Sequence, residues 1–421
     1  MTSVTESHIG VREGAPFEEQ ARLAFLRIRG AFAEILDALP GHIVRPHELS
    51  KCLSIDMKLA WKVVRAAHCT DPFMAVQHIP GTAALEAFLK AAAGQHVAAK
   101  RIQAVQTAMQ EFERLIEVHA GDRATLEMIL LGYASEDRRR ADLAHRKAAF
   151  GANSYIWGIQ ARTQVKADIL LPSSEKGWLD IATIRGFVEL RRIRPKVPWV
   201  IARARVADDR GNVKSPSGRE PLDPVQNDPD GGTGAPLLRE FCSQPLPQFR
   251  RVAGPHGFLE DELVEGEVGK TGAVTCMTGE VTRRVASYYR AEQNRVAALL
   301  ARMHTPCEAL VFDLFVHEDL FGPIEPQLAI YSELDGGRPV PPIEGRERDR
   351  LATNDSVEYL GKGPSVVHTP HVPRYAEMIR YVLDRLGSDG ERFDVYRVEI
   401  EYPIIPTSVA LIHELPEAPA E

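Results

Sequence analysis

From Glu18 to Leu39 the apolar side chains Leu23, Phe25, Leu26, Ile28, Phe32, Ile35, Leu36 and Leu39 recur mostly at helical spacing. That pattern predicts one amphipathic helix, and Pro40-Gly41 ends it. The same periodicity predicts helices over Ala83–Ala93, Ala98–His119 and Arg123–Tyr133, with Gly94, Gly121 and Gly132 as stops. Ser135–Lys147 is dense in charge and reads as a solvated helix face. From Phe17 to Leu171 good helix formers dominate, and proline stands only at 40, 46, 72 and 80.

After Pro172 the pattern changes. Leu179–Ile193 and Val197–Val206 mix β-branched and aromatic residues with arginine, as strands do. Further strands are expected around 262–265, 272–277, 308–316, 327–332 and 393–401, with helices at 280–303 and 373–386. Asp208–Pro236 holds four prolines before its last residue and a DGGTG run, and reads as a mobile loop with too few apolar side chains to order itself. No fixed-period repeat is present, which excludes solenoids and propellers. The chain is therefore expected to be α+β: a disordered tail over 1–16, a helical domain over 17–171 and a β-rich α+β domain over 172–421.

Composition narrows the class without naming a chemistry. The 421 residues carry 51 Lys+Arg against 58 Asp+Glu, a formal charge of −7, which argues against a surface coated in nucleic acid. The charge is uneven: 21 basic against 19 acidic residues up to 171, and 30 against 39 beyond. Five scattered cysteines (52, 69, 242, 276, 307) contain no Cys-x-x-Cys pair and suit a reducing compartment. The first sixteen residues lack the apolar stretch of a signal peptide, and no apolar run reaches membrane-spanning length. A cytoplasmic protein is expected, with no membrane partner.

One segment carries a mechanism. Pro46–Ala66 reads PHELSKCLSIDMKLAWKVVRA, which parses as a short helix, a turn at Ser54–Asp56 and a second helix over Met57–Ala67. Asp56 is placed to cap the second helix. Leu49, Leu53, Ile55, Leu59 and Val63 supply the apolar contacts between the two, and small Ser50 leaves room at their crossing. The segment resembles the helix-turn-helix of DNA-binding proteins, among them many bacterial transcriptional regulators. It departs from the usual pattern at Ser54, where glycine is common, and at Trp61, where a polar residue is common. The resemblance implies that the second helix enters the major groove of double-stranded DNA. It implies contacts from Met57, Lys58, Trp61, Lys62 and Arg65, with Arg45 as a further phosphate ligand. Nothing after Arg65 reads as a wing.

A second basic stretch, Arg185–Arg205, holds seven cations against Glu189. It reads as the solvent side of a strand pair, with arginine stems over apolar neighbours, and alternatively as a phosphate-facing ribbon. Other motifs fail on their spacing. Gly269-Lys270-Thr271 lacks the leading glycine of a phosphate loop, because residue 264 is Val, and a strand-like AVTCM follows it where a helix is required; a turn is expected. His317-Glu318 has Phe321 where a zinc protease needs its second histidine, and His368 and His371 lie in a proline-rich loop. No catalytic, cofactor-binding or metal-binding residue is assigned. The reading is a sequence-specific DNA-binding regulator, homo-oligomeric, with a C-terminal domain that senses a small-molecule or protein effector or oligomerises. A protein-interaction scaffold, and an enzyme with its site beyond residue 172, are the alternatives.

Overall fold

The computed structural model of the protein describes residues 16–41, 43, 45–133, 138–205, 219–223, 235–253, 258–290, 295–321, 324–333 and 346–418. The anticipated tail, but for Pro16, and most of the anticipated 208–236 loop lie outside the described residues. The fold is α+β, with two compact units that divide between Asp142 and Leu143.

The first unit is built from α1 (Phe17–Ala38), α2 (Pro46–Leu53), α3 (Met57–His68), α4 (Thr82–Gly94), α5 (Ala99–His119) and α6 (Arg123–Leu131). A short 3-10 helix over Met74–His78 lies between α3 and α4. Helix α1 forms because its buried Ala21, Ala24, Phe25, Ile28, Ala31, Phe32, Ile35 and Leu36 fall on one stripe. That stripe meets α5 through Phe25 and Phe112, whose rings lie 5.7 Å apart. It meets α4 through an edge-on contact of Phe32 with Phe88 at 5.9 Å. The unit boundary falls inside α7 (Arg138–Trp157), so this helix belongs to the first unit only at its start.

The second unit is centred on a seven-stranded sheet. Its members are β1 (Ile159–Pro172), β2 (Trp178–Arg192), β4 (Arg219–Pro221), β7 (Val274–Ser287), β9 (Cys307–His317), β11 (Glu358–Lys362) and β12 (Phe393–Glu401). They lie in the order β11-β12-β9-β1-β2-β7-β4. The β1–β9 pair is parallel, with Lys166 opposite Phe312, and the remaining pairs of the sheet are antiparallel. Strand β9 reads as a nearly unbroken apolar run because both of its faces are covered. One face packs on α8 (Tyr375–Leu386), whose Met378, Ile379, Val382 and Leu383 join Val165, Ala167 and Ile184 in one core. Glycine at 387, with φ of 66°, closes α8 and lets Ser388 N–H reach the Leu383 carbonyl at 3.1 Å. On the other face lies a three-stranded sheet of β8 (Val296–Met303), β10 (Gln327–Ser332) and β13 (Thr407–Glu414). Leu299, Ala301, Val409 and Leu411 of that sheet pack with Leu310, Phe312 and Leu314 of β9. A third sheet of β3 (Trp199–Arg205), β5 (Phe249–Ala253) and β6 (Phe258–Leu263) adds Trp199, Phe249 and Leu263 to the same core.

Two stretches depart from the sequence reading. Strand structure begins at Ile159 rather than beyond Pro172, so 17–171 is not wholly helical. IQARTQVKADILLP contains helix-forming Gln, Ala, Arg and Lys, yet Ile159, Ala161, Thr163, Val165 and Ala167 alternate inward as a strand requires. In place of the expected helix over 280–303, residues 280–287 end β7 and Val296–Met303 form β8. The Ala- and Leu-rich VAALLARM is held extended by its full antiparallel register with β13, from Val296 opposite Glu414 to Met303 opposite Thr407. Pairing here overrides local propensity.

Candidate nucleic-acid interface

The two-helix unit of residues 46–68 is specified by local hydrogen bonds. Pro46 occupies the first helical position of α2, where its fixed φ costs no hydrogen bond. The Arg45 N–H donates to Glu48 Oε2 at 3.1 Å. Ser54 terminates α2 in the left-handed region, at φ 52° and ψ 41°, and the Ile55 N–H returns to the Ser50 carbonyl at 3.2 Å. The Ser50 hydroxyl donates to the Ile55 carbonyl at 2.7 Å, so it ties the turn as well as leaving room. Asp56 caps α3 as anticipated: Oδ1 accepts from Lys58 N–H at 2.8 Å and from Leu59 N–H at 3.4 Å.

Packing then decides which face of α3 is left outside. Ala60, Val63, Val64, Ala66 and Ala67 are buried, and with Leu49 and Leu53 of α2 they join the core around α1. The opposite face presents Met57, Lys58, Trp61 and Arg65 to solvent, with Lys62 half-buried. Arg45 is exposed just before α2. Met57 is 50% and Trp61 42% exposed, large values for such apolar side chains. Trp61 nevertheless has a neighbour on each side. Its ring meets His78 edge-on at 5.1 Å, and the Arg65 guanidinium lies 5.6 Å from its centroid. Helix α3 contains no acidic residue. Arg45, Lys58, Lys62 and Arg65 are in no ion pair among the described residues. Of the six residues singled out in the sequence, Met57, Lys58, Trp61, Lys62 and Arg65 thus share the outward side of α3, and Arg45 is exposed ahead of α2.

The second basic stretch is taken up mainly by its own fold. Arg192 is buried and donates to the Val197, Leu263 and Val264 carbonyls. Arg194 bonds the Ile156 carbonyl, Arg185 pairs with Glu280 at 3.1 Å and Arg191 with Glu308 at 3.8 Å. Residues 269–272 form a turn with Gly269 at φ 81°, and β7 follows it, as expected for a failed phosphate loop. His317 is buried: its Nδ1 accepts from the Asp319 N–H at 3.2 Å and its ring stacks edge-on against Phe393. Burial, with Arg392 nearby, lowers its pKa and favours the neutral ring. His371 faces Glu399 at 3.1 Å, while His368 stands exposed. No group of three metal-ligating side chains occurs among the described residues. The five cysteines are free thiols, and burial pushes Cys276 and Cys307 up to about 12, far from a reactive thiolate.

Two charged clusters in the second unit had no linear signature. Asp313 and Arg397 form a buried bidentate pair at 2.8 and 2.7 Å on neighbouring strands, and Arg397 also donates to the Val367 carbonyl at 2.8 Å. Lys166 Nζ lies 2.5 Å from Asp168, which also accepts from Thr183 at 2.9 Å, inside the sheet-to-sheet interface. The only sequence trace of the second cluster is the polar half of the β1 alternation, Gln164-x-Lys166-x-Asp168.

Comparison of the chain with known protein families, with curated proteins and with solved structures finds no match. No helix among the described residues is long and apolar enough to cross a membrane.

Proposed function

We propose that this protein is a sequence-specific regulator that binds double-stranded DNA by laying α3 in the major groove, consistent with the helix-turn-helix resemblance of residues 46–66. It acts in the cytoplasm as a homo-oligomer, and its second unit senses an effector or holds the oligomer together. One observation carries the reading: the outward face of α3 bears Lys58, Lys62 and Arg65, free of ion pairs among the described residues and on a helix without an acid. Phosphate neutralisation by such cations supplies affinity, and base edges supply specificity. Four cations per protomer, counting Arg45, are few for tight specific binding. Two-fold symmetry doubles them and sets two half-sites about 34 Å apart.

A second reading, a protein-docking face, draws on Met57 and Trp61, whose exposure on the same helix suits a partner's apolar side chains. The two readings separate in one experiment. Full-length protein is tested by mobility shift on duplex DNA and by retention on heparin at rising salt. The variant Lys58→Ala/Lys62→Ala/Arg65→Ala loses most of both signals and of their salt dependence, with an unchanged circular dichroism spectrum, if α3 binds DNA. A wild-type protein that shows no salt-sensitive binding refutes the proposal and leaves the docking face.

A further inference from the structure

The sheet-to-sheet interface of the second unit is not filled at one end. There it opens into a cavity of about 920 Å³, at the upper end of the range for small-molecule sites. Strands β1, β2 and β7 of the large sheet form its floor, β8 of the three-stranded sheet and Trp199–Ile201 of β3 form its walls, and Ile405-Pro406 closes one edge. The register of the large sheet explains its chemistry. Lys166 on β1 stands opposite Arg185 on β2, and Arg185 opposite Thr278 on β7, so one row across the floor is polar and cationic. Arg302 of β8 adds positive charge, and His304 just after that strand adds a ring nitrogen.

The charges are arranged with a direction. Asp168 lies 2.5 Å from Lys166, Glu280 3.1 Å from Arg185, and Glu333 3.2 Å from His304 and 3.9 Å from Arg302. None of these acids lines the cavity, and no Asp or Glu does so among the described residues. The carboxylates therefore hold the cations without entering the lining: Lys166 and Arg185 stand on the floor, and Arg302 stands at the rim, on the face of β8 that it shares with Ser408. Lys166 spends two of its three protons, on Asp168 and on the Leu300 carbonyl at 2.7 Å. Burial also lowers its pKa, against Asp168, which raises it, so an incoming negative charge would stabilise its ammonium form. Aromatic surface completes the lining. Trp157 and Trp199 meet edge-on at 6.3 Å at one side, and Phe187 lies on β2. Flat rings here provide stacking area beside a cluster of donors, the combination that binds a molecule with one planar apolar end and one anionic end.

The geometry points to this cavity as a binding site for a small aromatic anion, its carboxylate or phosphate held by Lys166, Arg185 and Arg302 and its ring placed against Trp157, Trp199 and Phe187. The inference gives a ligand class to the sensing role proposed above and rests on that reading for its regulatory meaning alone. Its test contains no DNA, so its failure and the failure of DNA binding are separate results.

Isothermal titration calorimetry on the full chain uses three probes: 2-naphthoate, adenosine 5′-monophosphate and the neutral 2-naphthalenemethanol. At least one anion binds with a 1:1 stoichiometry, and the neutral alcohol binds at least tenfold more weakly. Which anion prevails assigns the source as a carboxylate metabolite or a nucleotide. Arg185→Gln/Arg302→Gln, at side chains 47% and 57% exposed and so outside the core, weakens the bound anion by tenfold or more. Thr278→Trp, which fills the floor, gives a charge-independent loss of the same size. Unchanged melting curves certify the fold of each variant. The proposal is overturned if neither anion binds at millimolar concentration, if the alcohol binds as well as the anions, or if affinity survives both variants unchanged.

Discussion

Residues Ser54 and Asp56 set where α3 begins, and their substitution tests how the exposed face is positioned. Asp56 Oδ1 receives two backbone donors, one at 2.8 Å and one at 3.4 Å, so one strong bond and one marginal bond are lost in Asp56→Ala. Removal of such a cap costs about 1 kcal/mol, which corresponds to about fivefold faster opening of the first turn. Ser54 holds φ 52° without the freedom of glycine. That conformation costs roughly 1–2 kcal/mol, and glycine's greater unfolded-state entropy returns roughly 0.5–1. Ser54→Gly therefore stabilises the turn by about 0.5 kcal/mol, or about twofold in the same rate. Native-state hydrogen exchange of the Lys58 and Leu59 amides reads both effects. Asp56→Ala accelerates exchange about fivefold, Asp56→Asn keeps it within about twofold because asparagine caps as well, and Ser54→Gly slows it. Equal rates in Asp56→Ala and wild type would refute the capping account, and faster exchange in Ser54→Gly would refute the strain at the turn.

The remaining expectations concern the second unit. Asp313→Ala leaves Arg397 charged and buried, and should cost about 3–5 kcal/mol in urea unfolding of the full chain. Asp313→Leu/Arg397→Met should recover most of that loss, and a single-variant cost below about 1 kcal/mol would contradict a buried pair. Glu333 is raised by burial but lowered more by bonds from His304 and Ser408 and by the charges of His304 and Arg302, with a net value of about 2 against an ordinary 4.5. A carboxylate depressed in the folded state contributes stability in full above its unfolded value and loses it as pH falls toward the folded one. Wild type should thus lose its stability advantage over Glu333→Gln between pH 4.5 and about 2, the ordinary and folded values of that group, and parallel acid profiles would refute the assignment.

The helical unit was legible because its information is local. The spacing of Phe25, Ile28, Phe32 and Ile35 specifies α1 by itself, and Asp56 marks the start of α3 through a bond spanning two residues. Helix α8 was legible for the same reason, through Tyr375, Met378, Ile379, Val382 and Leu383. Strands β1 and β8 were not, since Gln-Ala-Arg-Thr-Gln and Ala-Ala-Leu-Leu-Ala-Arg favour helix until partners distant in sequence hold them extended. The α3 face could be named in advance because its residues share one helix. The cavity could not, because Lys166, Arg185 and Arg302 meet only through the β1–β2 register and the packing of β8 across the sheet. Arg185–Arg205 reads as the solvent side of a strand pair with arginine stems over apolar neighbours, but its partners were not legible. Its charge density is a property of the sequence, while the burial of Arg192 and the pairing of Arg185 with Glu280 and of Arg191 with Glu308 belong to the fold.

The most direct test of the central claim is the slope of log K against log salt for binding to a duplex. Each phosphate neutralised contributes about −0.9 to that slope. Arg45, Lys58, Lys62 and Arg65 together predict about −3.6 per protomer and so about −7.2 for a two-fold dimer, or about 20,000-fold weaker binding from 50 to 200 mM salt. Lys58→Ala/Lys62→Ala/Arg65→Ala should leave about −0.9 per protomer, about −1.8 for the dimer, and so about a 12-fold change over the same range. A wild-type slope near zero, or the same slope in both proteins, would contradict a DNA-binding α3.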